Sequence, residues 1–178
     1  MRAVSRLILA LGLVLSPALA SPAAAGQGEP PPIRAAAGPE VSVRLGPALI
    51  ESAEKAYGLA EVHHQAERLK ATVTADLEQM GVMAGGRVDL VLVDLKPSRP
   101  TRQEMISRPG LSFRSASLGG ARIEGEMTTF DGDVIPLSFT WYASDLTDSR
   151  RQSVWGDAQW AFERFSHRLS RGQLYALR

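Results

Sequence analysis

Arg87 to Leu95 reads Arg-Val-Asp-Leu-Val-Leu-Val-Asp-Leu, so both alternating sets of side chains are mostly apolar. Such a run suits a strand at the centre of a sheet, covered on both faces. Lys96-Pro97 stops it, because proline cannot donate to a ladder. A central strand needs neighbours beside it and helices over it, and the flanking sequence supplies both. Glu40 to Leu45 alternates Val41, Val43 and Leu45 with Ser42 and Arg44, the pattern of a half-buried strand ended by Gly46-Pro47. Ala48 to Ala56 fits either a short helix or a loop.

Two segments have helical periodicity. Val62, Ala66, Leu69, Val73, Leu77 and Met80 recur at steps of three or four, which predicts a helix over 59–80 with Gly81 as its left-handed cap. Trp155, Ala158, Phe162, Phe165 and Leu169 predict a second helix over 154–171. Ser153 suits its N-cap, Asp157 its first-turn dipole and Gly172 its C-terminal cap. Between the helices, Ile123, Gly125 and Met127 alternate with Arg122, Glu124 and Glu126. Asp131-Gly132 marks a hairpin turn, and Ile135, Leu137, Phe139 and Trp141 form one face of the return strand. Pro136 puts that strand at an edge or a bulge. The expected fold is therefore α+β over residues 40–174. It is a two-layer sandwich, strand-helix-strand-strand-strand-helix, with two helices on one face of a small mixed, mostly antiparallel sheet.

The remaining segments bear on address rather than fold. Arg2 and Arg6 precede the apolar run Leu7–Leu15, and small residues follow Ser16-Pro17. This reads as a secretory signal peptide over residues 1–20, cleaved after Ala20 or as late as Ala25. The run is too short to span a bilayer. Residues 21–39 are an Ala/Pro/Gly leader with too little apolar surface to fold, and 175–178 form a tail. The expected location is the periplasm. Without Arg2 and Arg6 the 20 basic residues become 18 against 19 acidic, a net of −1. That balance gives no global field for nucleic acid or an anionic membrane. The chain has no cysteine, which excludes disulfides, thiolate catalysis, cysteine metal sites and a lipid on an N-terminal cysteine.

Three pieces stand out in order and spacing: Val-Asp-Leu-Lys-Pro-Ser-Arg-Pro (93–100), Leu-Gly-Gly-Ala (118–121) and Trp-Gly-Asp-Ala (155–158). With the strand ending Leu45-Gly46-Pro47, they resemble a domain-of-unknown-function family of small secreted or lipid-anchored proteins of Gram-negative envelopes. The resemblance covers most of the chain beyond the leader. It implies an envelope location; the family has no established catalytic residues, so none are carried over. Many members carry a lipidation cysteine; this chain lacks one, so the anchor is not carried over.

Few residues form a constellation with chemistry. His63 and Glu67 share a helix face without a third metal ligand nearby, so no metal or other cofactor is expected. His167 lies among Arg164, Arg168 and Arg171 and reads as structural or solvated. Asp145, Asp148 and Asp157 gather around the second helix start and could pair for acid–base work, although Asp145 and Asp148 also read as ordinary turn residues and Asp157 as the acid of the helix's first turn. No phosphate-binding glycine motif occurs. Trp141 and Trp155 belong to buried stripes, whereas Trp160 falls off its stripe at the core rim, to pack over Arg164 or to sit at an interface. The segment 96–114 is a proline-punctuated loop in which Lys96, Arg99, Arg102, Arg108 and Arg114 are offset only by Glu104. Arginine forks grip phosphates and carboxylates. Met105, Ile106, Leu111 and Phe113 add apolar contact, unless they tuck onto the sheet.

The expectation is a non-enzymatic periplasmic module that binds another envelope protein or component through Lys96, Arg99, Arg102, Arg108, Arg114 and Phe113, with no nucleic-acid partner. Two alternatives stay open. One is an envelope hydrolase using the acids near the second helix. The other is a carrier holding a small apolar ligand on the sheet's second face.

Overall fold

The computed structural model describes residues 38–81, 86–147 and 153–174. The expected signal peptide, nearly all of the leader, Asp148 and the C-terminal tail lie outside them. Strand β1 (Glu40–Leu45) turns at Gly46-Pro47 into helix α1 (Pro47–Ser52), and a π-helical turn (Ala53–Tyr57) follows. The uncertain stretch after β1 is thus helical. Gly58, at φ +88°, then redirects the chain into α2 (Leu59–Gln79). Strand β2 (Arg87–Lys96) is followed by a short helix α3 (Arg102–Ser107), strand β3 (Gly120–Thr128), strand β4 (Val134–Tyr142) and helix α4 (Gly156–Ser170).

The four strands form one sheet in the order β1-β2-β3-β4. β1 and β2 are parallel, joined through α1 and α2; β2–β3 and β3–β4 are antiparallel. α2 and α4 lie side by side against one face. This is the two-layer α+β arrangement that the sequence leads one to expect. Val41, Val88, Leu90, Leu92, Leu95, Ile123, Met127, Leu137 and Phe139 of the sheet meet Leu69, Val73, Leu77, Phe162, Phe165 and Leu169 of the helices in one core. Truncating any large member of such a core to alanine costs about 2 to 5 kcal/mol. The helix stripes hold with two adjustments. Met80 is 54% exposed because α2 ends beneath it, and Gln65 is buried between the helices, where it accepts from the Gln159 side chain at 3.4 Å.

Two expectations about individual elements are corrected. β2 is central but not covered on both faces: Asp89, Val91, Val93 and Asp94 are only half-buried, and α1 covers just one end of that side. A β-bulge between Leu92 and Asp94 explains the apparent two-faced apolarity. Strict alternation would send Asp94 into the core; the extra residue puts Val93 and Asp94 both outward and returns Leu95 inward. The second correction is at the start of α4. Trp155, not Ser153, occupies the N-cap and makes no side-chain cap bond. The cap comes from a distant residue: Ser98 Oγ, just beyond β2, accepts from the Asp157 amide at 2.9 Å. β4 is an edge strand, so Pro136 removes no bond the sheet interior requires.

Candidate functional site

The three distinctive sequence pieces converge. Asp157 is fully buried, and its Oδ2 accepts from the Gly119 amide at 2.8 Å. Ser98, also fully buried, donates its amide to Val154 O at 2.7 Å and accepts from the Ser117 amide at 3.0 Å. Ser117 Oγ donates to Pro97 O at 2.6 Å. A Cβ on Gly119 would stand 2.8 Å from Lys96 O and 2.9 Å from the Asp157 Cβ, so the close approach needs glycine. Asp157 therefore does more than complement a helix dipole. It closes the base of the loop that leaves β2 and returns at β3.

The loop that this knot closes carries the basic residues. It is not structureless: α3 occupies its first half, started by a capping box. Glu104 donates its amide to Thr101 Oγ1 at 3.2 Å, and its carboxylate accepts from the Thr101 amide at 2.9 Å. Thr101 Oγ1 donates in turn to Ala56 O at 3.3 Å, fixing α3 to the π-helical turn. The Thr-x-x-Glu spacing at 101–104 was a readable signal for this helix. The box also turns the loop's single acid inward.

The five cations part company. Lys96 Nζ lies 4.0 Å from Asp94 and 4.9 Å from the Tyr142 ring centre. Arg99 donates to Phe113 O and braces the loop internally. Arg102, Arg108 and Arg114 are exposed and form no ion pair among the described residues. Met105 and Leu111 are half-buried, whereas Ile106 is 70% and Phe113 65% exposed. The loop thus presents three arginines and two large apolar side chains outward.

The other candidates are not gathered into a site. Asp145 is exposed and accepts from the Thr147 amide at 2.7 Å, as an ordinary turn residue. Asp157 is internal, so these two acids share no cleft. His63, His64 and His167 are exposed, and no group of three metal-ligating side chains occurs among the described residues. Trp155 is core, its indole donating to Glu61 at 3.0 Å and its ring meeting Tyr57 edge-on at 5.9 Å. Trp141 is half-buried. Arg164 packs over the Trp141 ring at 5.8 Å.

The second face of the sheet holds one further feature. A depression of about 520 Å³ is lined by Ser52, Val93, Asp94, Arg122, Thr140 and Tyr142 among others. It is open, and polar and apolar side chains both line it. Tyr142 Oη donates to Asp94 at 2.5 Å. Burial, reinforced by that bond, holds its phenol well above the ordinary tyrosine range. Burial, then Glu104 and Asp94, also raise the Tyr57 phenol. Farther along, bonds from Ser42 and Arg87 hold the Asp89 carboxyl below its usual range. The side chains of this face largely satisfy one another. Sequence reading missed the Asp94–Tyr142 pair; the out-of-phase Asp94 was its only trace.

No family model matches the chain, and no curated protein is similar to it.

Proposed function

We propose that this protein is a non-enzymatic periplasmic module that binds another component of the cell envelope through its basic loop. The observation that carries the reading is the outward display of Arg102, Arg108 and Arg114 with Ile106 and Phe113, while Glu104, the loop's only acid, is folded into the capping box. Exposed guanidinium groups with no ion pair among the described residues, beside exposed apolar side chains, have the make-up of a recognition surface for an anionic partner. The rigid base at Ser98, Gly119 and Asp157 supports this, since a pre-ordered loop loses less entropy on binding. The apolar run Leu7–Leu15 behind Arg2 and Arg6 supports the export that the reading requires.

Capture from envelope extract tests the proposal. The full chain and a variant carrying Arg102→Glu, Arg108→Glu and Arg114→Glu are compared for what they retain. Retention by the native chain and loss by the variant supports the reading; identical retention by both refutes the loop as the contact.

A further inference from the structure

Within the proposed binding role, and resting on it, we infer that the component engaged by the loop is an anionic lipid surface. The near-neutral balance of the whole chain hides a strong local excess. Between Lys96 and Leu118 there are five cations and one acid. The acid is buried in the capping box, and two of the cations have contacts within the chain, Arg99 with Phe113 O and the still exposed Lys96 with Asp94 at 4.0 Å. Exposed without such a contact among the described residues are Arg102, Arg108 and Arg114, together with Ile106, Phe113 and the 40% exposed Leu118.

This combination fits a bilayer interface. Phe and Leu side chains enter the boundary between headgroups and acyl chains, while arginine stems lie along it and their forks hold phosphates. α3 carries Arg102 and Ile106 one turn apart, so a guanidinium and an apolar side chain share the outward side of that helix. Gly110, at φ +94°, with Pro109 before it, turns the chain so that Phe113 follows on the same exposed loop. The knot below keeps the loop's two ends together, so it meets a surface as one projection.

A second exposed aromatic provides an internal contrast. Phe130, at the β3–β4 turn, is 83% exposed, more than Phe113. Its neighbours Asp131 and Asp133 are acidic, and an anionic surface repels them. Charge therefore selects the loop, not the hairpin tip, as the contact with anionic lipid.

The soluble protein is mixed with vesicles of phosphatidylcholine alone and of phosphatidylcholine with phosphatidylglycerol, and sedimentation measures partition. The inference expects binding to the phosphatidylglycerol vesicles alone, weakening as salt rises. Arg102→Glu, Arg108→Glu and Arg114→Glu should each lower partition by at least roughly fivefold. Ile106→Ser with Phe113→Ser should lower it while leaving the salt dependence in place, and Phe130→Ser should change nothing. All of these sites are exposed, and circular dichroism confirms that each variant keeps its fold. Equal binding to both vesicle types, loop variants that partition like the native chain, or no binding at all overturns the inference. If vesicles fail but lipid-free envelope extract still yields a partner lost with the arginine variant, the lipid assignment falls and the loop reading stands. If both fail, both fall.

Discussion

Asp157 Oδ2 accepts a hydrogen bond from the Gly119 amide at 2.8 Å, tying the first turn of α4 to the start of β3 across 38 residues. The Asp157 amide in turn donates to Ser98 Oγ at 2.9 Å. One fully buried residue, through its carboxylate and its amide, thus joins three chain segments that are far apart in sequence.

Removing it should be costly. Asp157→Ala leaves the Gly119 amide without this acceptor inside the fold, and the expected loss is about 2 to 3 kcal/mol. Asp157→Asn keeps an acceptor oxygen and should lose less. Urea unfolding midpoints of the two variants test the order.

The close approach at Gly119 makes an independent prediction. Any Cβ there meets the Lys96 carbonyl and the Ser98 amide at under 3 Å, and both are backbone. Gly119→Ala should cost about 1 to 3 kcal/mol through displaced backbone rather than a lost bond. Gly132→Ala, where a Cβ meets nothing within 4 Å, carries only the strain of φ +90° and should cost less. Thermal unfolding of the pair separates crowding from backbone conformation.

Tyr142 sets an alkaline limit. Burial and the Asp94 bond raise its phenol above the tyrosine value of the unfolded chain, so the folded state holds that proton more tightly. The corresponding stability is fully present below about pH 10. It is lost as pH rises from there through the folded pKa. Ultraviolet difference titration should show phenol ionising late in the native protein, and Tyr142→Phe should remove one phenol from that late component, the raised Tyr57 remaining. A Tyr142→Phe variant with the same titration and the same alkaline stability profile would contradict the assignment.

The capping box connects stability to binding. Thr101→Ala removes the acceptor for the Glu104 amide and the donor to Ala56 O, and should cost about 1 kcal/mol. It leaves every arginine in place. Weaker capture from envelope extract by this variant would show that α3 must be ordered to bind; unchanged capture would show that the arginines suffice.

Much of this architecture was legible because it follows from local periodicity. The stripe from Val62 to Leu77, the Asp131-Gly132 turn and the stripe from Ala158 to Leu169 each define their element without reference to the rest of the chain. The misreadings come where distant residues decide. The bulge at Val93 looks like a second apolar face until Asp94 is seen to meet Tyr142. The α4 cap looked local because Ser153 sits at the usual position, yet Ser98 supplies it from the end of β2. α3 was hidden among prolines although Thr101 and Glu104 carried its signature. At the candidate site, composition revealed the cations and the apolar residues. It did not reveal that Glu104 folds into the capping box and Arg99 bonds Phe113 O, while Arg102, Arg108 and Arg114 stay exposed.

Hydrogen–deuterium exchange of the full chain with and without isolated cell-envelope fraction tests most directly where this protein makes contact. The account expects slowed exchange within residues 102–118 and no change along β4 or the hairpin tip. Slowed exchange on the open sheet face around Val93 and Thr140, with the loop unaffected, would contradict it.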